Sequence, residues 1–169
     1  GLPGYDFLLQ AESGLMSITG EADGDPMKLG VAIVDIGTGM YALSSILAAL
    51  QARHRTGKGQ YVEVSLYDTG VSLLANVAAN FLASGNPAGR YGNGHPNIVP
   101  YNAYPTRDGM IALSIGNDGQ FRTFCETVGK PEWADDEKFA RNRDRVENRG
   151  ACDGMISDLF RTDDTDKWI

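Results

Sequence analysis

One carboxylate in this chain stands where it could act as a nucleophile. Asp35 follows the apolar run Val31-Ala32-Ile33-Val34, begins a helix-patterned segment and is followed by Gly37 and Gly39. The dipole and unpaired N–H groups of a helix N-terminus favour the ionised form of an acid, and that is the form that attacks an electrophilic carbonyl. Asp is equally a favoured N-cap, so its position alone is met by a structural role. The flanking glycines point the other way, because a cap requires neither of them.

A second candidate is the stretch from Gly89 to Pro96. Its Gly89, Gly92 and Gly94 permit backbone conformations closed to other residues and let amide N–H groups approach a ligand. It reads as a lid or an anion cradle, or as a plain connection between two lobes. His95 within it offers an acid or base, though a lone loop histidine is also an ordinary surface residue. Tyr5 and Asp6 lie at a helix start, where capping and packing account for them. Arg53, His54, Arg55 and Lys58 fall at a helix C-terminus, which attracts cations without any ligand. Other signatures fail: Gly57-Lys58 is followed by Gly59 where a phosphate loop needs Ser or Thr, Gly92-Asn93-Gly94 follows no strand, and no Gly-x-Ser-x-Gly elbow occurs. Cys125 and Cys152 are far apart and the histidines are only His54 and His95, so no metal site is expected.

Periodicity outlines the elements that must position these residues. Residues 5–11 form a short helix that Ser13-Gly14 ends, and Gly20 to Pro26 is an exposed loop. A long slim helix runs from Asp35 as its N-cap through Ile36, Met40, Leu43, Ile46, Leu47 and Leu50 to a stop at Gly57. Gln60 to Tyr67 alternates as a half-buried strand, and Asp68 caps a helix that carries Val71, Leu74, Phe81 and Leu82 to Gly85. After the breaker-rich loop to Pro100, residues 101–106 and 110–115 flank Arg107-Asp108-Gly109 as a hairpin. Phe121, Phe124, Cys125 and Val128 then mark a helix with Cys125 in the core. An outer helix follows with Val146, Met155, Ile156, Leu159 and Phe160 as its single stripe. Thr162-Asp163-Asp164 caps one more.

Composition narrows the partners. With 15 Lys+Arg against 22 Asp+Glu the net charge is −7, so no basic face tracks a phosphate backbone and no nucleic acid is expected. Apolar runs fall short of the ~20 residues that span a bilayer, so no membrane is expected either. Two separated cysteines and the lack of a signal peptide point to the reducing cytoplasm. Glycine supplies 21 of 169 residues, well above the usual ~7%.

The succession Gly4-Tyr5-Asp6, Gln10-Ala11 with Ser13-Gly14, Thr19-Gly20, Val31-Ala32 with Asp35 and Thr38-Gly39, and Ile46-Leu47-Ala48-Ala49-Leu50 resembles the family III CoA-transferases. Arg53 with Thr56-Gly57-Lys58-Gly59-Gln60, Val62 and Val64, then Gly92-Asn93 with His95-Pro96-Asn97, extend the resemblance over almost the whole chain. Formyl-CoA transferase, the carnitine and bile-acid CoA-transferases and α-methylacyl-CoA racemase belong to this superfamily.

The resemblance implies an α/β fold. Residues 1–85 would end a Rossmann-type large domain with the catalytic Asp, 86–100 would be a glycine-rich loop or linker, and 101–169 would start a small α+β domain. Two such chains interlock as rings, so a homodimer is implied. Asp35 would be the nucleophile that forms an aspartyl mixed anhydride and then an aspartyl-CoA thioester. Tyr5 would line the CoA pocket, while Gly92, Asn93, Gly94 and His95 would match the loop that closes over the covalent intermediate. His95 and Pro96 replace part of that loop's glycine run. The partners would be an acyl-CoA and a carboxylic acid acceptor, with the CoA thioester as substrate and no tightly bound cofactor. Two rivals remain: a racemase of α-methylacyl-CoA, in which the Asp shuttles an α-proton with a histidine, and a catalytically silent module whose apolar faces form an interface. The abrupt opening and unfinished last helix, on the family layout, lead us to expect a segment of a longer chain that does not transfer CoA alone.

Overall fold

The computed structural model of the chain describes residues 4–169. It falls into two compact units, Gly1–Gly92 and Asn93–Ile169. The expected α/β character takes the form of helices with one small antiparallel sheet.

In the first unit, α1 (Asp6–Glu12), α2 (Ile33–Thr56), α3 (Leu66–Ser72) and α4 (Ala75–Ser84) are joined by irregular segments, with a single 3₁₀ turn at Met16–Ile18. Its core is small: Leu9, Leu15 and Val34 are buried, and Ile33, Leu66, Leu73 and Leu74 pack against them. Such close helix packing depends on two missing side chains. A Cβ at Gly37 would lie 3.0 Å from Thr69 Cγ2, and one at Gly70 would lie 2.8 Å from the Cβ and Oγ of Ser13. α2 ends where expected, at Gly57 in the left-handed region (φ 70°), whose N–H donates to Arg53 O at 2.8 Å.

Several expectations for this unit are corrected. The segment from Gln60 to Tyr67 is no strand: residues 57–65 are irregular and Leu66 already belongs to α3. Alternation at Val62 and Val64 suits a strand only where a neighbouring edge exists to pair with, and among the described residues the sole ladder is in the other unit. Asp68 does not cap the next helix. Ser65 does, its Oγ accepting the Asp68 N–H at 3.2 Å. That helix also breaks at Leu73–Leu74, so its apolar stripe is split between α3 and α4. Finally, α2 is 24 residues long with a mean hydropathy of 1.6 over its most apolar stretch. Its alanines lift the mean, so it is long and apolar enough to cross a bilayer by length and composition alone, a property that the core helix of a soluble fold shares.

The second unit is built on a hairpin. β1 (Tyr101–Pro105) pairs antiparallel with β2 (Met110–Ser114) in the register Tyr101 to Ser114 and Pro105 to Met110. After it come α5 (Asp118–Thr127), a 3₁₀ turn at Pro131–Ala134, α6 (Asn142–Glu147), α7 (Arg149–Phe160) and α8 (Thr165–Trp168). The expected outer helix is in fact two helices, and α7 is central: Cys152, Ile156 and Phe160 are buried in one cluster with Val99, Tyr104, Phe121 and Cys125. Its polar look in sequence comes from the facing side, where Asp153 accepts the Tyr104 hydroxyl at 2.5 Å. Burial, then that bond, raises the Tyr104 phenol above its ordinary range. The last helix is capped from the hairpin turn rather than by its own Asp164. Asp108 Oδ1 accepts the N–H and Oγ1–H of Thr165 at 2.8 and 2.9 Å, which holds its carboxyl below the usual range. Asp164 is instead taken by a two-pronged bond from Arg107, at 2.6 Å for each prong.

Burial pushes the Cys125 thiol up to about 11 and the Cys152 thiol up to about 12. At pH 8 the thiolate is therefore scarce at both. Iodoacetamide should leave both unlabelled in the folded protein and label both in denaturant, as read by mass spectrometry. In the first unit, Gly70→Ala should cost about 1–3 kcal/mol in denaturant unfolding through overpacking against Ser13, whereas Gly59→Ala, with open space around it, should show no such clash.

Candidate functional site

The opening turn of α2 carries the candidate nucleophile, and the N–H groups of its first three residues all have partners. The first four N–H groups of a helix lack partners within it. Here Ile33 N–H donates to Val31 O at 2.9 Å, and Ile36 N–H makes the first bond within the helix, to Ala32 O at 3.0 Å. The two between them go to one carboxylate oxygen on another helix: Asp6 Oδ1 accepts Val34 N–H at 2.8 Å and Asp35 N–H at 3.3 Å. Gln10, fully buried one turn further along α1, donates from Nε2 to Asp6 Oδ2 at 2.6 Å. Its Oε1 accepts the Leu29 N–H at 2.8 Å, and Nε2 also reaches Val31 O at 3.4 Å. Asp6 and Gln10 thus tie α1, the entry segment at 29–31 and the first turn of α2 into one arrangement.

Asp35 is not the N-cap that its position suggested. Ala32 occupies that place, and Asp35 is the third residue of the helix. The sequence signal for a cap was satisfied from elsewhere in the chain, by Asp6. Consequently the N–H groups of Ile33, Val34 and Asp35 are already engaged and not open to an anion. The Asp35 carboxylate is exposed and has no hydrogen-bond or ion-pair partner among the described residues. The two glycines beside it divide. Gly37 is buried and lets α2 close on Thr69 of α3 and on Leu73 just past its end, so packing explains it, while nothing lies within 4 Å of a Cβ at Gly39.

Tyr5 precedes α1 as its N-cap, 73% exposed, and its carbonyl accepts the Leu9 N–H at 3.0 Å. Through Asp6 it is brought to the Asp35 end of α2. An apolar hollow of about 380 Å³ in the same unit, lined by Gly14, Val71, Leu74, Val77, Phe81 and Leu82 among others, does not include Asp35. Gly92 closes the unit with φ 58° and donates its N–H to Gly20 O at 3.1 Å. A Cβ there would sit 3.2 Å from the Glu21 carboxylate.

Asn93, Gly94 and His95 belong to the second unit, where the loop is fastened rather than free. His95 donates its backbone N–H to Tyr101 O at 3.1 Å, and its Nδ1 accepts the Asn97 N–H at 3.0 Å, which leaves Nε2 as the protonated nitrogen of the neutral ring. The ring lies 5.3 Å from that of Tyr101. Arg149 Nη2 donates to His95 O at 2.8 Å and to Pro96 O at 2.9 Å. Asn142 bridges Asn97 O and Val99 N–H, and Arg145 Nε holds Val99 O at 2.6 Å. Among the named loop residues Asn93 also borders a groove of about 420 Å³ along the hairpin, with Tyr101, Asn102, Ala112 and Leu113. Among the described residues no group of three His, Cys, Asp or Glu side chains is arranged to hold a metal.

Sequence reading passed over Gln10 as a functional partner. The available signal was its place four residues after Asp6, one helical turn, where the two side chains meet.

A sequence model of the family described as CoA-transferase family III matches residues 1–169. The chain belongs to that family. It is 50% identical over 154 residues to the succinate–glutarate CoA-transferase of Agrobacterium fabrum, a match covering 91% of this chain and 38% of that protein. The succinyl-CoA:glutarate CoA-transferase of Mus musculus is 43% identical over 166 residues, covering 98% of this chain and 38% of its own length. Among solved structures, a CAIB/BAIF family protein from Brucella suis matches 98% of this chain and 44% of that one at 44% identity and a TM-score of 0.74. Rv3272 of Mycobacterium tuberculosis matches 99% of this chain and 43% of that one at 26% identity and a TM-score of 0.83. The chain therefore spans about two-fifths of the length of these relatives.

Arg149 is the testable anchor of the loop in this family member. Losing a charge-assisted double bond to two carbonyls, Arg149→Met should speed amide exchange across residues 93–97 by ~10-fold or more, with α5 unaffected, as read by hydrogen–deuterium exchange.

Proposed function

We propose that the protein carrying this chain moves CoA from an acyl-CoA thioester to a free carboxylic acid, with Asp35 as the covalent nucleophile. The observation that carries the reading is the Asp35 carboxylate itself: exposed, unpartnered, and fixed at its backbone by a capped helix start. The names of the relatives support dicarboxylate chemistry, with succinyl-CoA as donor and a dicarboxylic acid such as glutarate as acceptor.

The reaction balances without water or a net proton. An Asp35 oxygen forms a C–O bond to the thioester carbon, the C–S bond breaks, and CoA leaves as the thiolate. The thiolate attacks the aspartyl carbon of the resulting anhydride, forming a C–S bond and releasing the donor acid as its carboxylate. The acceptor carboxylate then attacks the aspartyl-CoA thioester and expels thiolate again. Attack of that thiolate on the acceptor carbonyl yields the new acyl-CoA and restores Asp35. Tyr5, at the same end of α2, is assigned to the CoA pocket. Gly92, Asn93, Gly94 and His95 are assigned to the loop beside the covalent intermediate. On this reading two copies assemble as a homodimer, and the exposed apolar residues of α2, such as Met40, Leu43 and Leu47, become covered in the whole protein.

Hydroxylamine added during turnover of succinyl-CoA should trap a hydroxamate on Asp35, located by peptide mass spectrometry. Asp35→Asn should abolish trapping and lower CoA transfer by at least ~10³-fold, as removal of a covalent nucleophile does. Transfer that persists in the variant sinks the assignment. Solvent deuterium entering the α-carbon of a 2-methylacyl-CoA with no trapping would point to the racemase instead.

A further inference from the structure

An aspartate at the third position of a helix ordinarily has a local competitor for its carboxylate. The unpaired N–H groups of the same first turn lie within reach, and short acidic side chains close on them readily. A carboxylate engaged in that way has its charge stabilised and its lone pairs occupied, which weakens it as a nucleophile. In this chain two of those N–H groups are taken from a distance. The N–H groups of Val34 and Asp35 are both taken by Asp6, 28 and 29 residues earlier, and that of Ile33 by the carbonyl of Val31.

Resting on the assignment of Asp35 as nucleophile, we propose that Asp6 is a positioning residue for CoA transfer: oriented by Gln10, its carboxylate takes the Val34 and Asp35 N–H groups and fixes the backbone from which the exposed Asp35 carboxylate meets the acyl carbon. Three observations converge on it. Asp6 uses both oxygens, Oδ1 toward α2 and Oδ2 toward Gln10 Nε2, so the plane of the carboxylate is set from two sides. Gln10 is fully buried with its amide oxygen committed to the Leu29 N–H, so it cannot turn its amide over without losing that bond. Asp35, in contrast, has its backbone N–H engaged and its side chain exposed without a partner. Asp6 does not touch the reacting atoms on this reading; it acts through the backbone of the residue that does.

The test uses the protein that carries this chain, with succinyl-CoA and glutarate. Asp6→Ala should lower kcat by ~100-fold, the penalty of a slightly misplaced catalytic group, while the KM for succinyl-CoA stays within ~3-fold, since no ground-state contact is lost. Asp6→Asn retains an oxygen acceptor for the two N–H groups but sets an amide NH₂ against Gln10 Nε2, so it should recover most of the loss and remain within ~10-fold of wild type. Amide exchange at Val34 and Asp35 should accelerate in Asp6→Ala and stay slow in Asp6→Asn. Unchanged exchange in Asp6→Ala overturns the proposal. So does a lower Tm with unchanged kcat per folded molecule, which marks a merely structural cap, and so does an Asp6→Asn defect equal to that of Asp6→Ala, which marks a role for the charge itself. Absence of CoA transfer in the wild type, or survival of transfer in Asp35→Asn, overturns the nucleophile assignment. Transfer lost in Asp35→Asn yet untouched in Asp6→Ala overturns only the positioning role.

Discussion

The first turn of a helix has N–H groups with no partner inside the helix, and α2 satisfies two of them with a single borrowed carboxylate. Asp6 Oδ1 serves Val34 and Asp35, and Val34 is the fully buried residue around which the small core of the first unit closes. The same bond therefore sets where α2 begins, how α1 lies against it, and where the backbone of Asp35 stands. Gln10 extends the constraint to the chain that enters α2, through Leu29 and Val31. Close packing finishes the arrangement at Gly37 and Gly70, where any side chain would meet the neighbouring helix.

The second unit solves an analogous problem around a buried cation. Arg145 is fully buried, yet each branch of its guanidinium has an acceptor: Val99 O at 2.6 Å, Phe139 O at 2.7 Å and Asp118 Oδ1 at 2.9 Å. The group also lies 4.3 Å from the Phe121 ring centroid. A buried charge is tolerated when it is paired and fully hydrogen-bonded, and satisfying this one draws α5, α6 and the chain before β1 together. The loop at His95–Val99 is consequently a fixed margin of the unit. The glycine-bearing stretch from Gly89 to Pro96 suggested a lid, an anion cradle or a plain connection; the arginines and asparagine that fasten residues 95–99 lie some fifty residues further along the chain, on α6 and α7.

α2 shows a different consequence of the chain's reach. Its apolar residues Ile36, Met40, Leu43 and Leu47 are at least half exposed, although its ends are well capped. Relatives in the family are more than twice as long as the aligned segment, and a helix apolar on several faces is the kind that a larger fold encloses. The same feature explains why its hydropathy reaches the level of a membrane span.

Local chemistry was readable wherever neighbours in sequence are also neighbours in space. The sequence alone determined the run of α2 to its glycine stop, the hairpin about Asp108-Gly109, the stripe of α5 with Cys125 inside, and an acid at the opening of a long helix. It could not determine which group caps that helix, because an N-cap within the sequence and a carboxylate arriving from 28 residues away leave the same local pattern. Nor could it tell that Val62 and Val64 lack a strand to pair with, or that α7 faces inward, since both depend on what lies alongside. Tertiary structure decided those points. Hydrogen-bond partners and packing neighbours are selected by proximity in space, and periodicity records only which residues are able to take part.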